Sequence, residues 1–135
     1  DANGVIYYDF TKPYVKPEQM LDIELGWTYS SNFLYFNINT FLMEYFDELV
    51  KSGQLDNFGA PIDGNAPKTR HYGIEIMATA KLFDSEKYGN LKISTNTTYS
   101  QNKIIDYDFI SKKGDIISLK NNSIAGFPDF LANID

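Results

Sequence analysis

Cysteine is absent from the 135 residues, so the chain can hold no disulfide and no thiolate metal site, and it has no cysteine nucleophile. Basic residues are in the minority, with 12 against 18 acidic residues and a formal net charge of −6. Nucleic-acid-binding domains need a basic face, so this balance argues against a nucleic-acid partner. No stretch reaches the roughly 18 consecutive apolar residues of a transmembrane helix. Asp1 is not followed by a basic segment and an apolar core, so no signal peptide is visible.

Motifs that would indicate catalysis are absent as well. The chain has no glycine-rich phosphate loop, no zinc-binding helix motif and no serine nucleophile elbow. We therefore expect neither an enzyme nor a bound cofactor.

Aromatic residues are abundant: ten Tyr, ten Phe and Trp27 make up 16% of the chain. Aromatic side chains favour β-strands. Girdles of aromatics at the two membrane interfaces of a transmembrane barrel are one physical reason for such a count. A barrel strand needs only about 10 residues of alternating character, which a search for long apolar runs does not detect.

Apolar and polar residues alternate with a period of two in four segments, which predicts β-strands. These segments are Leu21–Tyr29, Phe33–Val50, Tyr72–Leu82 and Leu91–Ser100. A helix is the alternative over Thr40–Val50, where the apolar residues also fit a period of 3.6. A strand is favoured because residues 33–41 are poor in helix formers, and Asn37 and Asn39 share a face only at a period of two.

Two further strands are predicted less regularly at the ends of the chain. Val5 to Phe10 has the composition of a short strand. A last strand is predicted to start near Ile124 and to continue past Asp135, with Pro128 making its start irregular.

The predicted connections alternate in length along the chain. A tight turn at Ser30–Asn32 is followed by a long loop at 51–67, a shorter connection at Asp84–Asn90 and a long excursion at 103–123. Outer-membrane barrels have short periplasmic turns and longer extracellular loops. The pattern therefore favours a barrel with the two long loops outside the cell.

Strand length and face chemistry also favour a barrel wall over a soluble sheet. The predicted strands run to about ten residues or more, whereas strands of soluble proteins average about five or six. Their polar faces are rich in Asn, Ser and Thr rather than Lys and Glu. In a barrel the apolar face meets lipid and the polar face lines the lumen. Because periodicity alone does not separate the two cases, a soluble β-rich module that binds carbohydrate or protein is the alternative.

Several segments, in order along the chain, resemble TonB-dependent receptors, the plugged transporters of the outer membrane. The segments are Lys16-Pro17-Glu18 with Asp22–Gly26, Asn37–Phe41 running into Glu44–Val50, Asn65–Glu75, Tyr99–Ile104 and Ile124–Ile134. Ile23 stands where the family usually has Tyr. The resemblance covers almost the whole chain and places it in the C-terminal part of the barrel domain.

The resemblance implies an all-β fold of antiparallel up-and-down strands from a transmembrane β-barrel. Residues 1–135 would supply about five strands of a larger barrel, with no plug domain in the chain. Five strands cannot close a barrel able to hold a plug, so the implied activity belongs to the parent protein.

The function implied by the resemblance is active transport across the bacterial outer membrane. The cargo would be a scarce nutrient, most often an iron chelate such as a siderophore. The implied partners are outer-membrane lipid, that nutrient, and a TonB-type energy-coupling protein of the inner membrane that acts through the plug region.

Few side chains suggest chemistry of their own. Asp22 and Glu24 share a strand face at a spacing of about 7 Å, either as an acid/base pair or as lumen-facing wall residues bonded to neighbouring strands. His71 is the only histidine, and one histidine makes no convincing metal site. With Arg70 it is predicted near the extracellular end of a strand, as a loop or rim residue or as a substrate contact.

Tyr107 and Phe109 lie in the predicted external loop 103–123, where they either contact a ligand or pack within the loop. The possible ligand-contacting loop residues are thus Arg70, His71, Tyr107 and Phe109, and no catalytic or metal-binding residue is predicted. The acidic residues of the predicted loops fit no calcium loop and are expected to be solvated: Asp56, Asp63, Asp106, Asp108 and Asp115.

Overall fold

Antiparallel strands are the regular elements of the computed structural model, which describes residues 15–55, 59, 61–110 and 114–135. The strands are β1 Gln19–Ser30, β2 Leu34–Leu55, β3 Pro61–Ser85, β4 Gly89–Asp106, β5 Asp108–Ile110, β6 Ile116–Ser118 and β7 Phe130–Ile134. Five of them form one sheet in the order β1-β2-β3-β4-β7, and β5 pairs with β6 in a separate hairpin. The described residues include no helix that is long and apolar enough to span a membrane. The predicted all-β, up-and-down fold is confirmed.

The cross-strand register places most of the apolar residues of the five strands on one face of the sheet. Trp27 lies opposite Ile38, and the same row continues through Ile76 and Thr97 to Ala132. Directly opposite residues of an antiparallel pair share a face. We call the face of this row the apolar face. Its rows run from Tyr29, Phe36 and Ala78 at one end to Leu42 and Tyr72 at the other.

The opposite face of the sheet carries amides, hydroxyls and a few charges. One of its rows runs from Gly26 through Asn39, Glu75 and Thr98 to Leu131. We call it the polar face. Each face holds the residues that the alternation in the sequence groups together. The register is therefore consistent along the sheet, since a shift of one residue would have exchanged the two faces of a strand.

β2 and β3 continue far beyond the apolar rows. The prediction of a long loop at 51–67 is wrong, because β2 runs to Leu55 and β3 begins at Pro61. The ladder continues to the pair Lys51–Asp63 and shifts in register just beyond it. Glycine and proline marked this segment as a loop, yet an irregular two-stranded ladder tolerates both. The helix considered over Thr40–Val50 does not form, since these residues belong to β2.

The other connections also differ in detail from the predictions. Residues 31–33 join β1 to β2, and residues 86–88 replace the longer connection predicted at Asp84–Asn90. The excursion predicted at 103–123 includes the end of β4 and the β5–β6 hairpin. The last strand starts at Phe130 rather than near Ile124. The short strand predicted over Val5 to Phe10 lies outside the described residues.

The buried apolar residues of the described part cluster near the long-loop end of the sheet. They are Val50, Ala66, Ile104 and Ile124, with Tyr107 and Leu119 packed against them. The apolar face is open by comparison, with Leu25 76% and Trp27 59% exposed. No second sheet covers that face within the described residues, so the closed sandwich required by the soluble alternative is not formed there. A contiguous apolar surface of this kind needs lipid or a partner to cover it.

Gly73 allows a close approach of three strands on the polar face. It lies opposite Phe41 of β2 and Ser100 of β4. A Cβ atom at this position would lie 2.4 Å from the Tyr99 carbonyl oxygen and 2.8 Å from Cζ of Phe41. The Phe41 ring therefore occupies the space that a side chain at residue 73 would need.

We expect Gly73→Ala to lower the free energy of unfolding by about 1–3 kcal/mol, the usual cost of overpacking, because backbone atoms of β4 must move. The measurement is denaturant unfolding of the full-length protein in detergent micelles. Gly26→Ala is the matched control, since a Cβ there meets nothing closer than the Asn39 side-chain oxygen at 3.3 Å. Equal stability changes for the two variants would contradict the steric explanation.

Candidate functional site

At Asp47 the alternation of side chains between the two faces of β2 is reversed. This reversal sets up the most buried polar cluster of the described residues. Asp47 has φ of 56°, in the left-handed region that Asp and Asn tolerate better than most other non-glycine residues. By the register of the flanking pairs, Pro67 lies opposite, and it has no N–H group to offer. The Asn65 side chain compensates, because its Nδ2 donates to the Asp47 carbonyl oxygen at 2.5 Å.

The reversal moves Glu48 to the polar face. Strict alternation along β2 would place Glu48 on the apolar face together with Glu44. Instead its carboxylate accepts hydrogen bonds from Thr69 Oγ1 and from His71 Nε2, the latter at 3.1 Å. The sequence alternation therefore reverses its phase at Asp47.

His71 is at the centre of the resulting hydrogen-bond network, which consists of Glu48, Thr69, His71, Ser100 and Asn102. His71 Nδ1 lies 2.7 Å from Asn102 Oδ1, and Asn102 Nδ2 donates to Ser100 Oγ at 3.1 Å. His71 and Asn102 are each 5% exposed. Because both ring nitrogens of His71 face oxygen acceptors, the arrangement fits a doubly protonated, charged imidazolium.

The network holds an ion pair that lies beyond the last apolar row of the sheet. Burial raises the pKa of the Glu48 carboxyl, but hydrogen bonds from His71 and Thr69 outweigh it, so the net pKa is lowered. Burial lowers the pKa of His71, but its hydrogen bonds to Glu48 and Asn102 and the Glu48 charge outweigh it, so the net pKa is raised. Both shifts favour the charged forms of the pair.

Two aromatic rings cover the imidazole. The ring centroids of Tyr45 and Phe127 each lie 5.2 Å from that of His71, in edge-on arrangements. Phe127 is carried by the segment between Ile124, whose N–H donates to the Asn102 carbonyl, and β7. The network therefore ties the returning chain to β2, β3 and β4.

Arg70 lies on the opposite face from His71, although the two are adjacent in sequence. Its Nε donates to Glu44 Oε1, and Lys68 Nζ lies 3.1 Å from Glu44 Oε2. Both Arg70 and His71 are strand residues of β3, toward the end of the sheet at which the longer connections lie. The strand alternation separates them, and they do not form one site.

The two aromatic residues predicted to contact a ligand lie near each other in the chain but in different settings. Tyr107 follows β4, packs against the buried apolar cluster, and its carbonyl accepts from the Leu119 N–H at 2.8 Å. That contact supports the loop-packing alternative for Tyr107. Phe109 lies in β5, where its backbone pairs with Ile117.

The acidic residues of the sequence analysis are dispersed. Asp63, Asp106 and Asp108 are strand residues rather than loop residues, and Asp56 lies outside the described part. Glu24 accepts a hydrogen bond from Asn39 Nδ2 at 3.1 Å, as expected for a wall residue bonded to the neighbouring strand. Among the described residues, no group of three or more His, Cys, Asp or Glu side chains could hold a metal ion.

The segment before β1 is fixed to the reversal at Asp47. The Lys16 backbone N–H donates to Asn65 Oδ1 at 2.7 Å, and Lys16 Nζ lies 3.2 Å from Asp47 Oδ1. Glu18 accepts a hydrogen bond from the Leu49 N–H at 3.3 Å. These contacts give a physical role to the Lys16-Pro17-Glu18 element. Sequence reasoning did not identify Asn65 or Glu48, because both depend on the reversed backbone.

We expect stability to be greatest between the pKa of Glu48 and that of His71. The Glu48 contribution is lost as pH falls through its lowered pKa, and the His71 contribution is lost as pH rises through its raised pKa. Glu48→Gln should lower the His71 pKa and lower the free energy of unfolding by about 1–3 kcal/mol at neutral pH.

Imidazole nitrogen NMR of the histidine-labelled full-length protein in micelles measures this pKa directly. Glu75→Gln is the control. It also removes a carboxylate from the polar face, but Glu75 is exposed and lies in β3, the strand that carries His71. An unchanged His71 pKa in Glu48→Gln would show that the ion pair does not hold the proton.

The family model described as TonB dependent receptor-like, beta-barrel matches residues 2–135. No curated protein and no solved structure matches the chain.

Proposed function

Because the chain belongs to the TonB dependent receptor-like β-barrel family, we propose that it forms wall strands of an outer-membrane receptor that imports an iron chelate such as a siderophore. Members of this family are outer-membrane proteins of Gram-negative bacteria that act in nutrient transport. Import would be energised by a TonB complex of the inner membrane, acting through a plug domain that lies elsewhere in the parent protein.

The separation of the two sheet faces is the observation that carries this proposal. The apolar face is exposed along five strands, and hydrocarbon covers such a face without a second protein layer. The polar face is lined mainly by amides and hydroxyls, such as Asn37, whose Nδ2 donates to Thr28 Oγ1 at 2.7 Å, with a few charged side chains among them. A wall of this kind suits the lumen of a barrel that passes a hydrophilic nutrient.

The connections support one orientation of the sheet. Short connections at 31–33 and 86–88 lie at one end, while the β2–β3 extension and the β5–β6 hairpin lie at the other. Short turns are periplasmic in outer-membrane barrels, so the extension would stand outside the cell.

Of the four residues predicted to contact a ligand, we retain His71 as the candidate, because it lies on the lumen side. Both of its ring nitrogens are engaged by Glu48 and Asn102, so a ligand would meet the covering rings of Tyr45 and Phe127 instead. Arg70 points to the other face, and Tyr107 packs against the buried cluster.

The test is uptake of radioactive iron, supplied as different chelates, by a bacterium with and without the gene. We expect deletion to abolish uptake of at least one chelate, and a protonophore to abolish the same uptake in the parent strain. Uptake of every iron chelate that is independent of the gene would overturn the iron assignment. Gene-dependent uptake that persists with the protonophore would overturn the energised mechanism.

A further inference from the structure

Two cations face each other on the apolar face, in the first row beyond the apolar rows. Arg70 of β3 lies directly opposite Lys103 of β4, and Glu44 of β2 lies on the other side of Arg70. Like charges directly opposite each other destabilise a sheet. An anion bound between them would remove that cost.

The neighbouring carboxylates leave this surface with one positive charge in excess. Glu44 binds Arg70 through one oxygen and Lys68 through the other. Asp106 lies opposite Lys68 but makes no ion pair with it within the described residues. Lys103 Nζ donates to Ser123 Oγ at 3.0 Å, a neutral partner. The row of Arg70 and the next row, that of Lys68, thus hold three cations and two carboxylates. The cations are Lys68, Arg70 and Lys103, and the carboxylates are Glu44 and Asp106.

A belt of polar groups lies directly below the two cations. Tyr72 donates from its hydroxyl to Gln101 Oε1 at 2.6 Å, and Gln101 Nε2 donates to the Tyr99 hydroxyl at 3.2 Å. Tyr72 and Tyr99 are 40% and 49% exposed. The face becomes apolar at Ile74, which lies opposite Tyr99, and at Ile76 in the next row on the same face. Along the strands, an apolar segment is followed by tyrosines and then by cations. Side chains follow the same order from the hydrocarbon core to the surface of a membrane.

We propose that Arg70 and Lys103 form a binding site for the phosphate group of a phosphorylated lipid in the outer leaflet. This inference rests on the membrane placement in the proposed function. Arg70 Nε is engaged by Glu44, which holds the guanidinium at the surface while its side chain remains 42% exposed. A guanidinium and an ammonium suit a phosphate through charge-assisted hydrogen bonds. The acyl chains would lie along the apolar face below.

The test is native mass spectrometry of the full-length protein in a neutral detergent, titrated with lipid A as the phosphorylated probe. We expect the double variant Arg70→Gln/Lys103→Gln to weaken lipid A binding about tenfold or more. The weakening should diminish at high salt, since the site lies at the membrane surface.

The chain supplies a matched control in Lys81 and Lys92. They are also cations directly opposite each other on β3 and β4, but on the polar face near the short connections. Lys81→Gln/Lys92→Gln makes the same change in net charge, and we expect lipid A binding within about twofold of the unchanged protein. Equal loss in both double variants would show a general charge effect and overturn the site.

Two other probes distinguish the source of the phosphate. Phosphatidylcholine bound as tightly as lipid A would show that acyl chains alone are recognised, and inorganic phosphate bound as tightly would show a free-anion site. Either result overturns the assignment. If the double variant does not fold, the single variant Lys103→Gln replaces it, with an expected weakening of about threefold.

Iron-chelate uptake separates this inference from the proposed function. We expect uptake to be unchanged in Arg70→Gln/Lys103→Gln, because these two cations lie on the apolar face, outside the lumen. Gene-independent uptake together with lipid A binding that depends on Arg70 would overturn the transport proposal and leave the lipid site standing.

Discussion

The hydrogen-bond register between neighbouring strands is the constraint on which the rest of the structure depends. It aligns Trp27, Ile38 and Ile76 across three strands and so produces a continuous apolar face. A strand has a period of two, so a slip of one residue would move every one of these side chains to the other face. Gly73 shows how closely the strands approach, since even a methyl group there would meet the backbone of β4. The apolar face and the polar face are therefore two results of one pairing.

Sequence alternation predicted the part of the fold that obeys a strict period. The segment Tyr72–Leu82 could be assigned to a strand with both faces named, because each face has a uniform chemistry there. The segment 51–67 could not, since its glycines and prolines have the same local meaning in a loop and in an irregular ladder. Pairing with a partner strand decides between the two, and a single sequence does not contain that information. The site was predictable only to the same extent: His71 could be placed near the end of a strand, but Glu48 was assigned to no partner.

The ion pair of Glu48 and His71 depends on a local exception to the periodicity. The left-handed conformation of Asp47 brings the Glu48 carboxylate to the face on which His71 and Asn102 lie. Asn65 then satisfies the Asp47 carbonyl opposite a proline. A conformation that costs free energy by itself is held by hydrogen bonds from β3 and from the segment before β1. On the other face Glu44, which precedes the reversal, holds Arg70 and Lys68 at the surface.

The phase reversal at Asp47 has an evolutionary consequence. An ordinary extended conformation at Asp47 would restore strict alternation along β2 and return the Glu48 carboxylate to the apolar face. Insertion of one residue between Glu48 and Val50 would displace Val50 from its buried neighbours. Length changes in homologous chains are therefore expected to accumulate beyond Lys51, where the ladder is already irregular. The tip of the β2–β3 extension can diversify in length while the part of the wall below it keeps a fixed residue count.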